Sequence, residues 1–264
     1  MKKIGLYQVL AGLLGIIIAF SASAQNDWKN WDATQLDLAF TKKLDLRLSH
    51  LRSYNISNSF SNDFNQSSVH LDYDFTKKFS LSAGATFSGS QTAVDGKNRV
   101  SLRATYKTKI ADALSWSNSI QGELFSANET RYSERIILIT RVGTKKRLDF
   151  LRLSPSVSYS LFYNLGGSPI QYFDPETGEN LTKNTADGFH RGRLTINLNS
   201  KITNNFSISV YYMMQNEFNL LTDDVHKINV INPNTGKVTR QFDKYKVLGL
   251  TLAWDFKLYK KNKN

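Results

Sequence analysis

The sequence alternates between apolar and polar residues over long stretches, and this period of two constrains the fold more than any other feature. In "SVHLDYDF" (68–75) every second residue is apolar, and after the turn "TKK" the alternation resumes in "FSLSAGATF" (79–87). An earlier copy reads "QLDLAF", "TKK" and "LDLRLS" over residues 35–49. Alternation over this length is typical of a β-strand with two unlike faces. We therefore predict a repeated β-hairpin with a Thr-Lys-Lys turn.

The pattern continues to Phe256 in eleven segments that begin at Thr34. Because bacterial single-chain barrels normally have an even strand number, we expect ten or twelve strands, with residues 27–33 as the candidate for an additional one. Short turns are predicted at 41–43, 76–78, 107–113, 143–147 and 203–205. Long outer loops are predicted near 54–66, 164–188 and 216–243. Short turns on one rim and long loops on the other are typical of an outer-membrane barrel.

Two of the long loops carry a turn signal of their own. The stretches "IQYFDPETGENLT" and "HKINVINPNTGKVTRQF" each contain an acid or amide followed by Pro and, three residues later, Gly. This combination is typical of a tight turn. Each stretch therefore predicts a small hairpin within its loop.

The direction of the apolar face decides between a membrane barrel and a soluble one. The segments reach roughly 9–12 residues, which suits a tilted membrane strand better than a soluble strand of about 5–6. Aromatic residues gather at the strand ends, where interfacial girdles lie. Arginines on the opposite face would each cost about 2–4 kcal/mol in lipid, so that face must be wet or internally paired. We predict an all-β fold, an antiparallel transmembrane β-barrel of about 10–12 strands. A soluble periplasmic binding barrel with the apolar face inside is the alternative. The residues predicted to face lipid or form the girdles are Leu36, Leu38, Phe40, Phe75, Phe79, Leu81, Trp116, Tyr212, Leu248, Leu250, Leu252, Trp254 and Phe256.

The N-terminus has the layout of a secretory signal peptide. Two lysines precede an apolar run over 4–20, and small residues follow at Ala22-Ser23-Ala24. We predict cleavage after Ala24, which leaves residues 25–264 as the barrel; a retained membrane anchor is the alternative. The chain has no cysteine, which excludes disulfides, thiolate catalysis and Cys-ligated zinc.

The charge balance bears on the partners. The whole chain has 34 basic and 22 acidic residues, and two of the lysines lie in the predicted signal peptide. For an exported protein, this excess of positive charge favours anionic lipids and lipopolysaccharide as partners over nucleic acid. The barrel insertion machinery is the other expected partner, and the expected location is the cell outer membrane.

The polar face of the predicted strands carries charged residues of both signs. The residues expected to face the lumen are Asp37, Asp45, Arg47, His70, Asp72, Asp74, Arg99, Arg103, Lys107, Glu123, Arg135, Arg141, Arg191, Arg193 and Asp255. One interpretation is a narrow channel that favours anionic solutes. The other is a network of ion pairs that fills a small lumen, as in barrels whose interior is occupied by side chains.

Two polar clusters raise the question of catalysis and metal binding. Ser68, His70 and Asp72 suggest a lipid or lipopolysaccharide hydrolase, but residues two apart on a strand lie about 6.6 Å apart, beyond the reach of a nucleophile and its base. Asp223, Asp224 and His226 could bind a hard cation, but calcium needs six to eight oxygen ligands. We expect no catalytic residues, no metal and no cofactor.

The hairpin "AFTKKLDLRLSHLR", with Arg47 and Arg52 on its second strand, resembles one barrel family. Together with the signal peptide, a tryptophan near the mature start and the alternating last strand, it is similar to an uncharacterised Bacteroidota family, domain of unknown function 2490. The resemblance covers nearly the whole mature chain. It implies an outer-membrane location and an unassigned role, and it brings no catalytic residues with it. The tail "LYKKNKN" after Phe256 departs from the aromatic ending usual in such barrels.

Overall fold

Eleven strands close into one barrel in the computed structural model, which describes residues 27–57, 59–89, 96–174 and 176–259. The predicted all-β barrel is therefore confirmed, while the predicted signal peptide at 1–24 lies outside the described residues. The barrel strands are β1 (Asp27–Ala39), β2 (Leu44–Asn55), β3 (Ser61–Asp74), β4 (Phe79–Gly89), β5 (Arg99–Lys109), β6 (Leu114–Phe125), β7 (Glu134–Thr144), β8 (Leu153–Leu165), β11 (Gly188–Lys201), β12 (Phe206–Leu220) and β13 (Tyr245–Lys257). The short strands β9 (Ile170–Phe173) and β10 (Asn180–Asn184) form a separate two-stranded sheet. No helix among the described residues has the length and apolar character to cross a membrane.

The barrel closes through a parallel pair of strands. Residues 27–39 of β1 pair in register with residues 245–257 of β13, from Asp27 with Tyr245 to Ala39 with Lys257. Every other neighbouring pair is antiparallel. In an up-and-down barrel with an odd number of strands, the first and last strands run in the same direction and must pair in parallel. The count of eleven segments is thus right and lies within the predicted 10–12 strands, while the expectation of an even number is wrong, because residues 27–33 are the first half of β1 and not a separate strand.

The repeated Thr-Lys-Lys motif forms the predicted tight turns. In the first copy the Thr41 hydroxyl accepts hydrogen bonds from the backbone N–H groups of Lys43 and Leu44, at 3.1 and 3.0 Å. In the second copy Thr76 accepts from Lys78 and Phe79 at the same distances. The threonine side chain thus satisfies two backbone donors within the turn, and the lysines remain in solvent.

Two predicted connections differ from the structure. The loop predicted near 54–66 is reduced to residues 56–60, because β2 and β3 continue through this polar stretch as a paired hairpin. The short turn predicted at 143–147 is longer, since it spans 145–152 and ends in a single 3₁₀ turn at Phe150–Arg152. Where both faces of a strand are polar, the sequence shows no apolar alternation. The outer ends of β2 and β3 were therefore not predicted as strands, although their backbone hydrogen bonds continue.

The two small hairpins predicted inside the long loops are present. In the first, β9 pairs with β10, and the Asp174 carboxylate accepts backbone N–H groups two and three residues ahead, both at 2.8 Å. In the second, Ile231 pairs with Val238 around a turn in which Asn232 plays the same part. Gly178 and Gly236 close these turns with φ of 73° and 65°. This left-handed conformation is the one that glycine adopts without steric cost.

Candidate functional site

The outer wall of the barrel carries exposed apolar side chains. Most of the predicted lipid-facing or girdle residues are exposed there: Phe40, Phe75, Phe79, Trp116, Leu248, Leu250 and Phe256. The others in that set, except Tyr212, are half-buried by their neighbours: Leu36, Leu38, Leu81, Leu252 and Trp254. Further exposed apolar residues of the wall include Val100, Leu102, Ile120, Leu124, Ile136, Leu138 and Val210. A folded monomer in water rarely exposes a contiguous apolar surface of this kind.

Tyr212 departs from the expectation of an exposed position. It lies opposite Leu248 on the outer face, but only 3% of its side chain is exposed. The ring of Trp28 lies 6.1 Å from it, centre to centre. Because β1 begins at Asp27, Trp28 belongs to this strand and covers Tyr212 on the outer wall. The alternating pattern was counted only from Thr34, so it did not predict this contact.

The charged residues predicted for the lumen pair mainly across neighbouring strands. Near the loop end, Glu123 of β6 lies opposite Arg135 of β7 and accepts its Nε–H at 2.8 Å. The same carboxylate lies 3.2 Å from Arg99 of β5. Two strands along from β7 in the barrel, Arg191 of β11 donates to Glu217 of β12 at 2.6 Å. These carboxylates are almost fully buried, Glu123 being 4% exposed. Burial of this kind requires the ion pairs and hydrogen bonds that the structure provides.

The short-turn end of the lumen is acidic. Asp37, Asp45 and Asp255 line a cavity there together with Lys201 and Lys257. Arg47 bridges the aspartates of adjacent strands, with its guanidinium 2.9 Å from Asp37 and 3.4 Å from Asp72. The predicted residues Asp74 and Lys107 are exposed near this rim. The lumen therefore has a basic loop end and an acidic short-turn end.

Three lumen arginines have no carboxylate within 4 Å among the described residues. Arg103 of β5 has none, and Arg141 of β7 donates instead to the Ser156 hydroxyl at 2.9 Å. Arg193 of β11 donates to the Gln215 carbonyl oxygen at 2.7 Å. Ion pairs thus involve seven of the predicted lumen residues: Asp37, Arg47, Asp72, Arg99, Glu123, Arg135 and Arg191. Among the described residues, the carboxylates of Asp45, Asp74 and Asp255 likewise lie in no ion pair.

A cap formed by loops lies over the loop end of the barrel. Its buried apolar residues come from three connections and from the small hairpin: Tyr132, Ile170, Tyr172, Ala186, Ile228 and Phe242. Beside them, Arg131 donates two hydrogen bonds to Glu129, at 2.9 and 2.8 Å. Burial disfavours the ionised form of Glu129, but the bonds and charge of Arg131 outweigh it and lower the pKa of this carboxyl below its ordinary value. The cap is therefore held by an ion pair as well as by apolar packing.

The residues that suggested catalysis do not assemble a nucleophile and base. Ser68 shares a hydrogen bond of 2.6 Å with Ser49, and His70 lies opposite Gly84. No hydrogen bond joins Ser68 to His70 among the described residues, as their spacing on one strand predicts.

The acidic loop that suggested a cation site is occupied by its own contacts. His226 bonds to Asp223 and Asn184, and Lys227 pairs with Asp224. Within the described ranges no group of three or more metal-ligating side chains forms.

Several residues of the site were not identified from the sequence. Glu217 falls in the range 216–243 predicted as a loop, and Gln215 lies directly before it, but β12 continues to Leu220. The signal that could have found them is the inward alternation that runs from Ser207 through Tyr211 to Glu217. Tyr132 and Glu129 lie in a connection, where no period exists to indicate that they reach the lumen.

The arrangement defines a class of protein: a closed barrel with an apolar outer wall, an ion-paired polar lumen and a loop cap at one end. The chain matches the family described as "Protein of unknown function (DUF2490)" over residues 28–226. This match covers most of the chain, and the protein belongs to that family. No curated protein matches the sequence.

Proposed function

We propose that the protein is a non-enzymatic barrel of a Gram-negative outer membrane whose lumen is filled by paired side chains and whose loop end binds another molecule. The observation that carries this proposal is the inverted polarity of the barrel. Apolar side chains cover the outer wall, whereas charged and hydrogen-bonded side chains fill the interior. Only a closed barrel or helices satisfy backbone polar groups in lipid, and this chain forms a closed barrel. The partners we propose are outer-membrane lipids, lipopolysaccharide and the insertion machinery.

A substitution on the outer wall tests the membrane location. Ile120 lies in the middle of β6 and is 52% exposed. If this wall faces lipid, Ile120→Arg in vesicles lowers the free energy of unfolding by about 2–4 kcal/mol. If the wall faces water, the same change on a surface stays within about 0.5 kcal/mol. Leu114→Arg, at the first residue of the same strand and on the same face, is the control, because the cost falls toward the interface.

Cell fractionation tests the location independently. When the full chain is expressed, we expect the protein in the outer-membrane fraction. We also expect this mature protein to lack residues 1–24. Recovery in the soluble periplasm would contradict the proposal and favour the soluble binding barrel.

A narrow anion-selective channel is the second candidate, and the observation that favours it is that three lumen arginines, Arg103, Arg141 and Arg193, have no carboxylate within 4 Å among the described residues. In that case the protein produces discrete current steps in planar bilayers, with anions carrying most of the current. A barrel whose lumen is filled gives none. Hydrolysis of phospholipid or lipopolysaccharide by the purified protein, with or without calcium, would contradict both candidates.

A further inference from the structure

The geometry points to an anion-binding chamber at the loop end of the lumen, built for a small organic acid that carries a ring. The inference rests on the proposed binding role and names the ligand class. The chamber has a volume of about 500 Å³ and lies between the barrel wall and the loop cap. Its basic lining residues are Lys29, Lys97, Arg99, Arg131, Arg135, Arg191 and Arg193.

The chamber contains more positive than negative charge. Glu123 forms ion pairs with both Arg99 and Arg135, and Glu217 forms one with Arg191. Together with Arg193, four guanidiniums therefore lie near these two carboxylates. Elsewhere in the lining, Lys29 pairs with Asp63 at 2.7 Å, and Arg131 and Lys97 both lie close to Glu129. The lining also contains Asp243, so seven cationic side chains stand against five carboxylates once Glu123 and Glu217 are counted. Since an enclosed excess of charge is costly, an anion that enters the chamber gains by neutralising it.

Arg193 is the residue that is best placed to receive the anion. Its guanidinium stacks over the Phe162 ring at 5.0 Å and lies 5.9 Å from the Trp31 ring. Nε donates to Gln215 at 2.7 Å and Nη2 to the Tyr245 hydroxyl at 3.3 Å. Its remaining N–H groups donate to no protein atom among the described residues. A guanidinium held in this way offers a preorganised fork for a carboxylate or phosphate group.

Gln215 holds Arg193 in place without supplying a counter-charge. On the same two strands, the neighbouring cross-strand pair is Arg191 with Glu217, whereas Arg193 faces a neutral amide. Gln215 is 2% exposed, and its amide donates to Glu217 at 2.7 Å and to the Asp243 carbonyl at 3.0 Å. The amide is therefore fixed with its oxygen toward Arg193, and it holds the guanidinium without neutralising it.

The aromatic residues that line the chamber favour a ligand that contains a ring. The aromatic lining residues are Trp31, Phe64, Phe125, Tyr132 and Tyr245. The indole N–H of Trp31 is buried with no acceptor in the described part of the chain. Apolar walls with a few fixed polar groups are typical of sites for small molecules.

Calorimetric titration of the full-length mature protein in detergent tests the inference with three probes: benzoate, benzyl alcohol and inorganic phosphate. We expect benzoate to bind more tightly than phosphate, and benzyl alcohol to give no signal. No binding of benzoate would overturn the inference. Equal binding of benzyl alcohol would remove the role of the charge, and tighter binding of phosphate would remove the role of the rings.

Gln215→Glu is the decisive variant, because it gives Arg193 the carboxylate that Arg191 already has. We expect at least a tenfold loss of benzoate affinity. The control is Asn197→Asp, which adds the same charge to the lumen face of β11 outside the chamber lining and leaves the affinity within twofold of wild type. An unchanged affinity in Gln215→Glu, with the barrel folded by circular dichroism, would refute the role of Arg193. Because binding is measured in detergent, its failure is separate from any failure of the proposed membrane location.

Discussion

Substitution of Glu123 by glutamine tests whether the lumen is a buried network of ion pairs or a wet channel. The carboxylate is 4% exposed and receives hydrogen bonds from Arg135 and Gln121, with Arg99 at 3.2 Å. Glutamine keeps the size of the side chain but removes its charge, and two guanidiniums then lack a counter-charge. Breaking a buried pair by removing one partner costs about 3–5 kcal/mol. We expect Glu123→Gln to lose about that much free energy of unfolding.

The assay is urea unfolding in lipid vesicles, followed by tryptophan fluorescence and by the gel shift between folded and heated barrel. Glu134→Gln is the control, because Glu134 is exposed at the start of the next strand and pairs with no cation among the described residues. Its cost should stay within about 0.5 kcal/mol. In the double variant Glu123→Gln, Arg99→Gln, one of the two guanidiniums that lack a counter-charge is removed. The free energy of unfolding should then recover by about 1–3 kcal/mol, because the two sites are coupled.

The loss of free energy of unfolding in Glu123→Gln distinguishes a filled lumen from an open channel. Water in an open channel would hydrate the freed guanidiniums, as at a surface pair worth about 0–1 kcal/mol. A loss below 1 kcal/mol would therefore refute the filled lumen and favour the channel. A loss of 3 kcal/mol or more would support the filled lumen.

Three further predictions address other parts of the molecule. Asp37→Asn should cost only about 0.2–1 kcal/mol in the same urea assay, because its pair with Arg47 is partly exposed. The cap should lose protection against proteolysis as pH falls below the ordinary Glu129 pKa of 4.5, since the lowered pKa stabilises the folded form only while this carboxyl is ionised; Glu129→Gln should abolish that pH dependence. Gly249→Leu should destabilise the barrel by about 1–3 kcal/mol in urea unfolding, because any Cβ at this position meets the ring of Tyr211, and Tyr211→Ala in the same chain should restore most of the loss.

The period-two pattern predicted the parts of the fold where the two faces of a strand meet different surroundings. In β3 and β4 each residue faces either the apolar exterior or the polar lumen, so the alternation is sharp and the turn at Thr76 stands out. Beyond the apolar band both faces are polar, and the pattern fails there. The outer half of the β2–β3 hairpin was assigned to a loop for this reason, and residues 27–33 were expected as a separate strand and not as the first half of β1.

Closure and the charge partners required information that no local segment contains. The parallel pairing of β1 with β13 joins residues more than two hundred positions apart, and it follows from the odd strand count alone. Arg191 and Arg193 were both predicted to face the lumen, but the sequence did not say that one faces a carboxylate and the other an amide. That difference depends on the register of β12, which was partly assigned to a loop.

The parallel closure also bears on how an anion would move through the barrel. It places Asp37 of β1 directly beside Asp255 of β13, and Asp45, Lys201 and Lys257 line the same cavity. This cavity shares no lining residue with the arginine-rich chamber at the loop end. An anion attracted into the chamber would have to leave the guanidiniums and then pass carboxylates, which repel it in a confined space of low dielectric. The charge arrangement therefore favours retention of an anion at the loop end over its passage, and it is the physical reason for preferring a binding barrel to a channel.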